Sequence, residues 1–131
     1  MKVLTIKQPW ATLIANEIKQ YEFRSWKTNY RGKLLIHAGL GKDREHMNIL
    51  NTLNLDCNYG QIIASVDLVD CIKIDDEFNK FLINEKSIAY GNEVREGYAW
   101  KLENIQILKT PIITKGKLGL WNIDLESEVE K

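Results

Sequence analysis

Cysteine is scarce. Cys57 and Cys71 stand alone in 131 residues, too few for a disulfide framework. The opening MKVLTIKQPW lacks an extended apolar core and a small-residue cleavage site, so no secretory signal is expected. The two thiols therefore read as reduced and the protein as cytoplasmic. Apolar runs last only a few residues, so no membrane-spanning helix, and no membrane partner, is expected. Histidine is equally sparse, and His37, His46, Cys57 and Cys71 lack the spacing of metal ligands. No metal site and no cofactor is assigned. Excess charge is missing too: 18 Lys and Arg balance 18 Asp and Glu, which argues against a protein that coats nucleic acid without selectivity. Neither an internal repeat nor a linker interrupts the chain, so residues 1–131 form a single domain, with the tail ESEVEK frayed.

The composition that is present is that of a globular protein, 44% hydrophobic and 27% charged, and the length suffices for a core without staples. Charge is unevenly placed. Residues 1–42 carry eight basic and two acidic side chains, and residues 43–104 carry six and twelve. Such asymmetry lets one face attract an anion, provided that the halves of the sequence become faces in space.

Val3 to Ile6 suits a first strand. Pro9 fits the first position of a helix capped by Gln8, with Trp10, Leu13, Ile14 and Ile18 at helical spacing. That spacing favours core packing for Trp10 over stacking on a ligand. From Gln20 the period becomes two: Tyr21, Phe23 and Ser25 share one face, and Glu22, Arg24 and Trp26 the other. Lys27 to Gly32 is a connection, and Lys33 to Ala38 a strand. A helix is expected over 43–53. The stretch 61–74 is the longest strand candidate, long enough to need a bend; Asp70, which breaks the apolar parity, either marks that bend or is a buried carboxylate with a partner. Asp75 caps a helix that runs to Glu85. After a polar loop over 84–96 comes a strand from Tyr98 towards Leu108, which Pro111 stops or places at an edge. Tyr98, Trp100 and Trp121 alternate as core residues, with Lys101 and Glu103 facing solvent. A turn framed by Gly116 and Gly119 precedes a closing strand at Trp121. Non-adjacent strands with short helices between them predict an α+β fold, a small β-barrel with short flanking helices.

The run QPWATLIANEIKQYEFRSWKTNYRGKLLIHAG resembles the opening of ASCH domains, whose core pattern is Gly-x-Lys-x-x-Glu/Thr-x-Arg. Lys19, Glu22 and Arg24 match it, while Glu17 stands where glycine is usual. The later pieces GQIIASVDLVDC, YAWKLENIQIL and GKLGLWNID are also similar to the family's strands, in the right order. The resemblance implies a PUA-like barrel with a cleft near the Lys-Glu-Arg motif, and RNA or a nucleotide-like ligand as partner.

The residue types suit that chemistry. Arg24 offers a rigid fork for phosphate or a base edge, Lys19 a mobile point charge, and Glu22 an acceptor for a base amino group. Trp26 supplies a stacking face and Arg31 a further phosphate contact, the alternative being a loop that packs onto the barrel. The plain alternative for Glu22 and Arg24 is an ion pair on a solvated face. By strand parity Lys19 does not share their face, and only a turn at the helix exit brings it there. An enzyme is the second reading, a hydrolase of RNA or a modified nucleoside with Glu22 as acid/base and Lys19 beside it. Some relatives that the resemblance brings in hydrolyse acetylated cytidine with a Thr where this chain has Glu22. A carboxylate does not replace that hydroxyl, and it tends to keep Lys19 protonated. A third reading is an adaptor whose cleft holds a protein segment. Of the histidines, His37 draws more interest than His46, because its strand follows the motif, though a satisfied structural role is its simpler reading.

Overall fold

Alternation of period two drives the architecture. The computed structural model describes residues 1–91 and 93–125, so the tail ESEVEK lies outside the described residues. In chain order the elements are β1 (Lys2–Gln8), α1 (Trp10–Ala15), β2 (Tyr21–Arg24), β3 (Gly32–Lys42), a 3-10 turn (Arg44–His46), α2 (Asn48–Thr52), β4 (Gln61–Lys73), α3 (Asp76–Glu85), β5 (Tyr98–Ile113) and β6 (Leu120–Asn122). The strands form one mixed sheet in the order β2-β5-β4-β3-β1-β6. β1 and β3 run parallel, and the other neighbours antiparallel.

Even-numbered positions carry the main core. Leu4 and Ile6 of β1, Leu34, Ile36 and Ala38 of β3, Ala64, Val66 and Leu68 of β4, and Trp100 and Leu102 of β5 cluster with Ala11, Ile14 and Ala15 of α1. The short helix α1 thus plugs the face of the sheet that its strands turn inward. Gln8 accepts a hydrogen bond from the Thr12 amide (3.0 Å) through its Oε1 and donates through Nε2 to the Asn58 carbonyl (2.9 Å). A buried amide side chain is in this way satisfied at both ends; the N-cap itself is Pro9, one residue later than expected, and Gln8 stands just before it. A second cluster, with Leu13, Tyr21, Leu82 and Tyr90, joins α1 to α3 and to the loop after it.

The ladder does not close. β2 and β6 are its two ends, and no pairing joins them among the described residues. The expected barrel is therefore a curled, open sheet. The end strands, four and three residues long, are too short to complete a ladder. A side chain spans the gap instead: Arg24 of β2 donates from an Nη to the Thr5 carbonyl of β1 at 2.7 Å, just past the segment Lys2–Leu4 that β6 covers.

β4 takes up its length through register shifts against β5, one of them between Leu68 and Asp70. Asp70 is exposed, and its Oδ1 accepts from the Cys71 amide at 2.8 Å; of the two expectations it fits the bend, not the buried carboxylate. Pro111 does not end β5, which runs on to Ile113. β2 pairs only with residues 98–101 of β5, so the stretch around Pro111 has a free outer edge where a missing N–H costs nothing.

Candidate functional site

The site begins with the exit of α1. The helix ends in a Schellman closure: the Glu17 amide donates to the Ile14 carbonyl (3.0 Å) and the Ile18 amide to the Leu13 carbonyl (2.9 Å). Such a closure needs a left-handed residue, and Glu17 has φ 63°. The glycine of the family pattern is the residue that adopts this conformation freely. Glu17 itself points to solvent. The Lys19 amide also donates to the Leu13 carbonyl, at 3.1 Å. This is the turn that strand parity alone could not supply, and it brings Lys19 beside Glu22.

Lys19, Glu22 and Arg24 converge on one cleft of about 580 Å³. Its walls draw on β1 (Thr5, Lys7), α1 (Trp10), the segment after β3 (Asp43, His46), the loop after α3 (Glu93, Arg95) and the loop before β6 (Lys117, Leu118). Lys19 is at the floor, only 2% exposed. Its Nζ lies 4.0 Å from the centroid of the Phe23 ring, 5.2 Å from Trp10 and 5.4 Å from Tyr90. Burial lowers its pKa to about 8, assisted by the positive charges of Arg95 and Arg24 and opposed by Glu22. Glu22 does act in the direction expected from the sequence, but desolvation outweighs it.

Glu22, itself buried, meets one Nη of Arg24 at 3.1 Å. That same Nη serves Thr5, while the buried Nε of Arg24 has no hydrogen-bond partner among the described residues. The ion pair is thus a wall of the cleft rather than part of a solvated face. Arg95 lies with its guanidinium carbon 4.5 Å from the Phe23 centroid. Its backbone is clamped by Asn79 of α3, which accepts from the Arg95 amide (2.9 Å) and donates to its carbonyl (3.0 Å). Tyr90, from the same loop, accepts from the Gln20 amide at 2.7 Å and so anchors the start of β2.

The opposite wall is a chain of polar contacts. Trp10 donates from Nε1 to Asp43 at 3.3 Å, Asp43 meets His46 Nδ1 at 3.0 Å, and His46 Nε2 lies 3.3 Å from Glu93. The close contact with the Asp43 carboxylate raises the His46 pKa against the effect of burial, with Glu93 adding to it. For Asp43, burial pushes the carboxyl up, but the contacts to His46 and Trp10 prevail and hold it below its usual value.

Two expected site residues are elsewhere. Trp26 packs edge-on against Trp100 (centroids 4.8 Å apart), and its carbonyl accepts from the Trp100 indole. β2 ends at Arg24, so Trp26 leaves the face that parity assigned to it. Arg31 binds the carbonyls of Thr28 and Tyr30 and lies 3.9 Å from Asp70. Neither lines the cleft. The histidines exchange roles: His37 is buried between Thr5 (3.3 Å) and the Thr114 carbonyl (2.7 Å), whereas His46 faces the cleft. Trp10, read from its spacing as core, is half-buried and lines the cleft as well. Lys7, Arg95 and Lys117 went unnoticed, because they come from segments that meet only in the fold. Among the described residues five cations (Lys7, Lys19, Arg24, Arg95, Lys117) face three carboxylates (Glu22, Asp43, Glu93), so their sum over the cleft is positive in a neutral chain. Among the described residues no cluster of His, Cys, Asp and Glu has the arrangement of a metal site, and no helix is long and apolar enough to cross a membrane.

Comparison with known proteins bears on the family and the fold. Across 92% of this chain, human activating signal cointegrator 1 is 30% identical, and its mouse counterpart equally so. The chain spans only about a fifth (22%) of the length of those relatives. The crystal structure of ASCH from Zymomonas mobilis superposes with a TM-score of 0.59 over 98% of this chain and 90% of its own. At 14% identity it speaks for the fold alone. The pattern of the ASCH domain matches residues 4–112, and with the relatives and the shared fold it places this chain in the ASCH domain family.

Proposed function

We propose that the cleft recognises RNA or a nucleotide-like ligand, with Lys19, Glu22 and Arg24 at its centre. The carrying observation is the collection of five cations from distant segments into one cleft of an otherwise neutral chain. Arg24 and Arg95 present guanidinium forks to a phosphate, Lys19 adds a point charge from the floor, and Glu22 accepts from a base amino group. The floor position of Lys19 favours a splayed, single-stranded nucleotide over a base inside a duplex.

Fluorescence anisotropy with short single-stranded RNA at low and moderate salt tests the reading. Binding is expected at low salt and weakens as salt rises. Arg95→Gln, which leaves the sheet untouched, and Lys19→Met are each expected to weaken binding about 5- to 30-fold, the equivalent of roughly 1–2 kcal/mol. Absence of binding at low salt, or binding indifferent to both substitutions, overturns the reading.

Hydrolysis of RNA or a modified nucleoside is the second reading, and Lys19 favours it. A lysine with a pKa of about 8 holds a useful fraction of neutral amine near physiological pH. In this reading Glu22 serves as acid/base beside Lys19. Turnover of RNA or acylated nucleosides that persists unchanged in Glu22→Gln excludes that role.

A further inference from the structure

The cleft does not end at Lys117 and Leu118. A second cavity of about 710 Å³ lies beside it, and the two share Thr5, Gly39, Leu40, Lys117 and Leu118. The character changes across this common lip. Three large apolar side chains stand almost bare around the second cavity: Leu40 (80% exposed) and Leu118 (98%) on the lip itself and Ile113 (77%) beyond it, next to His37, Thr114 and Lys115. Single exposed apolar residues are ordinary, but three around one cavity mark a surface that is covered in use. Among the described residues Lys115 and Lys117 are the charged ones of this lining, and none is a carboxylate. A partner here is therefore both flat or apolar and anionic.

The second cavity is held open from beneath. The ring of His37 contacts the Thr114 carbonyl at 2.7 Å, and the Thr114 amide donates to the Gly60 carbonyl at 3.1 Å. Gly116 lies so close over His37 that a Cβ there would meet Cε1 at 2.8 Å. Trp121 donates to Thr5 at 3.0 Å. Binding to such a prearranged wall costs little ordering. On the floor of the lip Gly39 leaves bare backbone, where an added Cβ would come within 2.8 Å of Thr5 Cγ2.

We propose that this cavity is a second subsite, holding the base next to the one in the cleft, so that the ligand is an extended single strand of at least two nucleotides. The phosphate between them crosses the lip beside Lys117, with Lys7 on the cleft side. A nucleic-acid strand alternates charge with flat apolar faces in the order that the two cavities offer. Continuity with the cleft and the absence of carboxylates favour that strand over a peptide. The inference rests on the reading of the cleft as a nucleotide site and deepens it.

Titration of the full chain with a mononucleotide and with di- and trinucleotides of the same base, at one salt concentration, tests it. Affinity is expected to rise about 5- to 10-fold between one and two nucleotides, less than aromatic stacking would give, because the wall is aliphatic. Ile113→Ser and Lys115→Gln alter residues of the second cavity alone. Each is expected to shrink that rise while the mononucleotide binds as before. A rise that is absent, or that both variants leave intact, overturns the second subsite and spares the reading of the cleft. No binding of any nucleotide removes both. An acidic, leucine-containing peptide whose affinity falls in Ile113→Ser, with no such fall for RNA, assigns the cavity to a protein and overturns the proposal.

Discussion

Among individual residues the motif was legible because its members need little more than a strand and a turn. Alternation put Glu22 and Arg24 on one face, and they pair at 3.1 Å. Extending the same rule to Trp26 failed, since the strand stops two residues earlier and the indole finds Trp100. Arg31 failed for another reason: its guanidinium is used within its own turn by Thr28 and Tyr30. Glu17 shows the opposite case, where a departure from the family pattern identifies a backbone requirement. The position is left-handed at φ 63°, and a side chain there is strained whatever its chemistry. Glu17 is exposed, so its replacement disturbs no packing. Glu17→Gly is therefore expected to stabilise the fold by about 0.5–1 kcal/mol, despite the greater freedom it gives the unfolded chain. Urea unfolding of the wild type, Glu17→Gly and Glu17→Ala measures this. The expected order places glycine highest; a glycine variant no more stable than alanine refutes the strain.

Elements were legible where local periodicity decides them and obscure where neighbours do. The strands and the Asp75-capped helix follow their patterns, with the Asp75 carboxylate accepting from the Phe78 amide at 2.8 Å. The persistence of β5 through Pro111 was not, because it depends on which of its edges lacks a partner. Least legible was the loop after α3. Its polar composition gave no hint that Tyr90 would anchor β2 or that Arg95 would reach the cleft. Both depend on long-range hydrogen bonds, of which the Asn79 clamp on the Arg95 backbone is the clearest. Asn79 is buried, and Asn79→Ala leaves an amide and a carbonyl of that loop without their partner. The expected cost is about 1–3 kcal/mol in urea unfolding. Hydrogen exchange should quicken at the Arg95 amide in native conditions, while the Val66 amide in the sheet interior keeps its protection. Unchanged exchange at Arg95 would show that the clamp does not hold the loop.

The whole molecule joins a curled sheet, open between β2 and β6, to a cleft that lies where Arg24 bridges the gap. Curvature was foreseeable from the even-numbered core and the bulged β4; which edges would stay unpaired was not, because pairing is set by strand lengths far apart in sequence. The net positive cleft was only half foreseeable: Lys7, Lys19 and Arg24 come from the basic first third, but Arg95 comes from the acidic middle. Placing Lys19 on the floor of that cleft sets the site against the stability of the fold. Its pKa falls from 10.5 to about 8, chiefly through burial. Between those values the unfolded chain holds a proton that the folded chain has lost, so stability rises with pH across that window. Below about pH 8 both states carry the proton, and the full penalty of burying the charge applies. The gap between the two values corresponds to about 3 kcal/mol. Lys19→Met replaces the side chain by an unbranched apolar one a single atom shorter, which still packs among the rings, and Glu22 retains Arg24 as its counter-ion. At pH 7 the variant is expected to melt about 3–6 °C above the wild type, as when a buried charge gives way to an apolar side chain. By pH 10 the wild-type lysine is neutral when folded, and the difference should shrink towards zero. Melting curves of the two proteins at pH 7, 8.5 and 10 decide it, with titrations common to both proteins cancelling in the difference. A variant that melts lower at pH 7, or a difference independent of pH, would mean that the aromatic rings and Glu22 compensate the buried ammonium in full. The gain in melting temperature at pH 7 should accompany the loss of RNA affinity expected for the same substitution, because both follow from one buried charge.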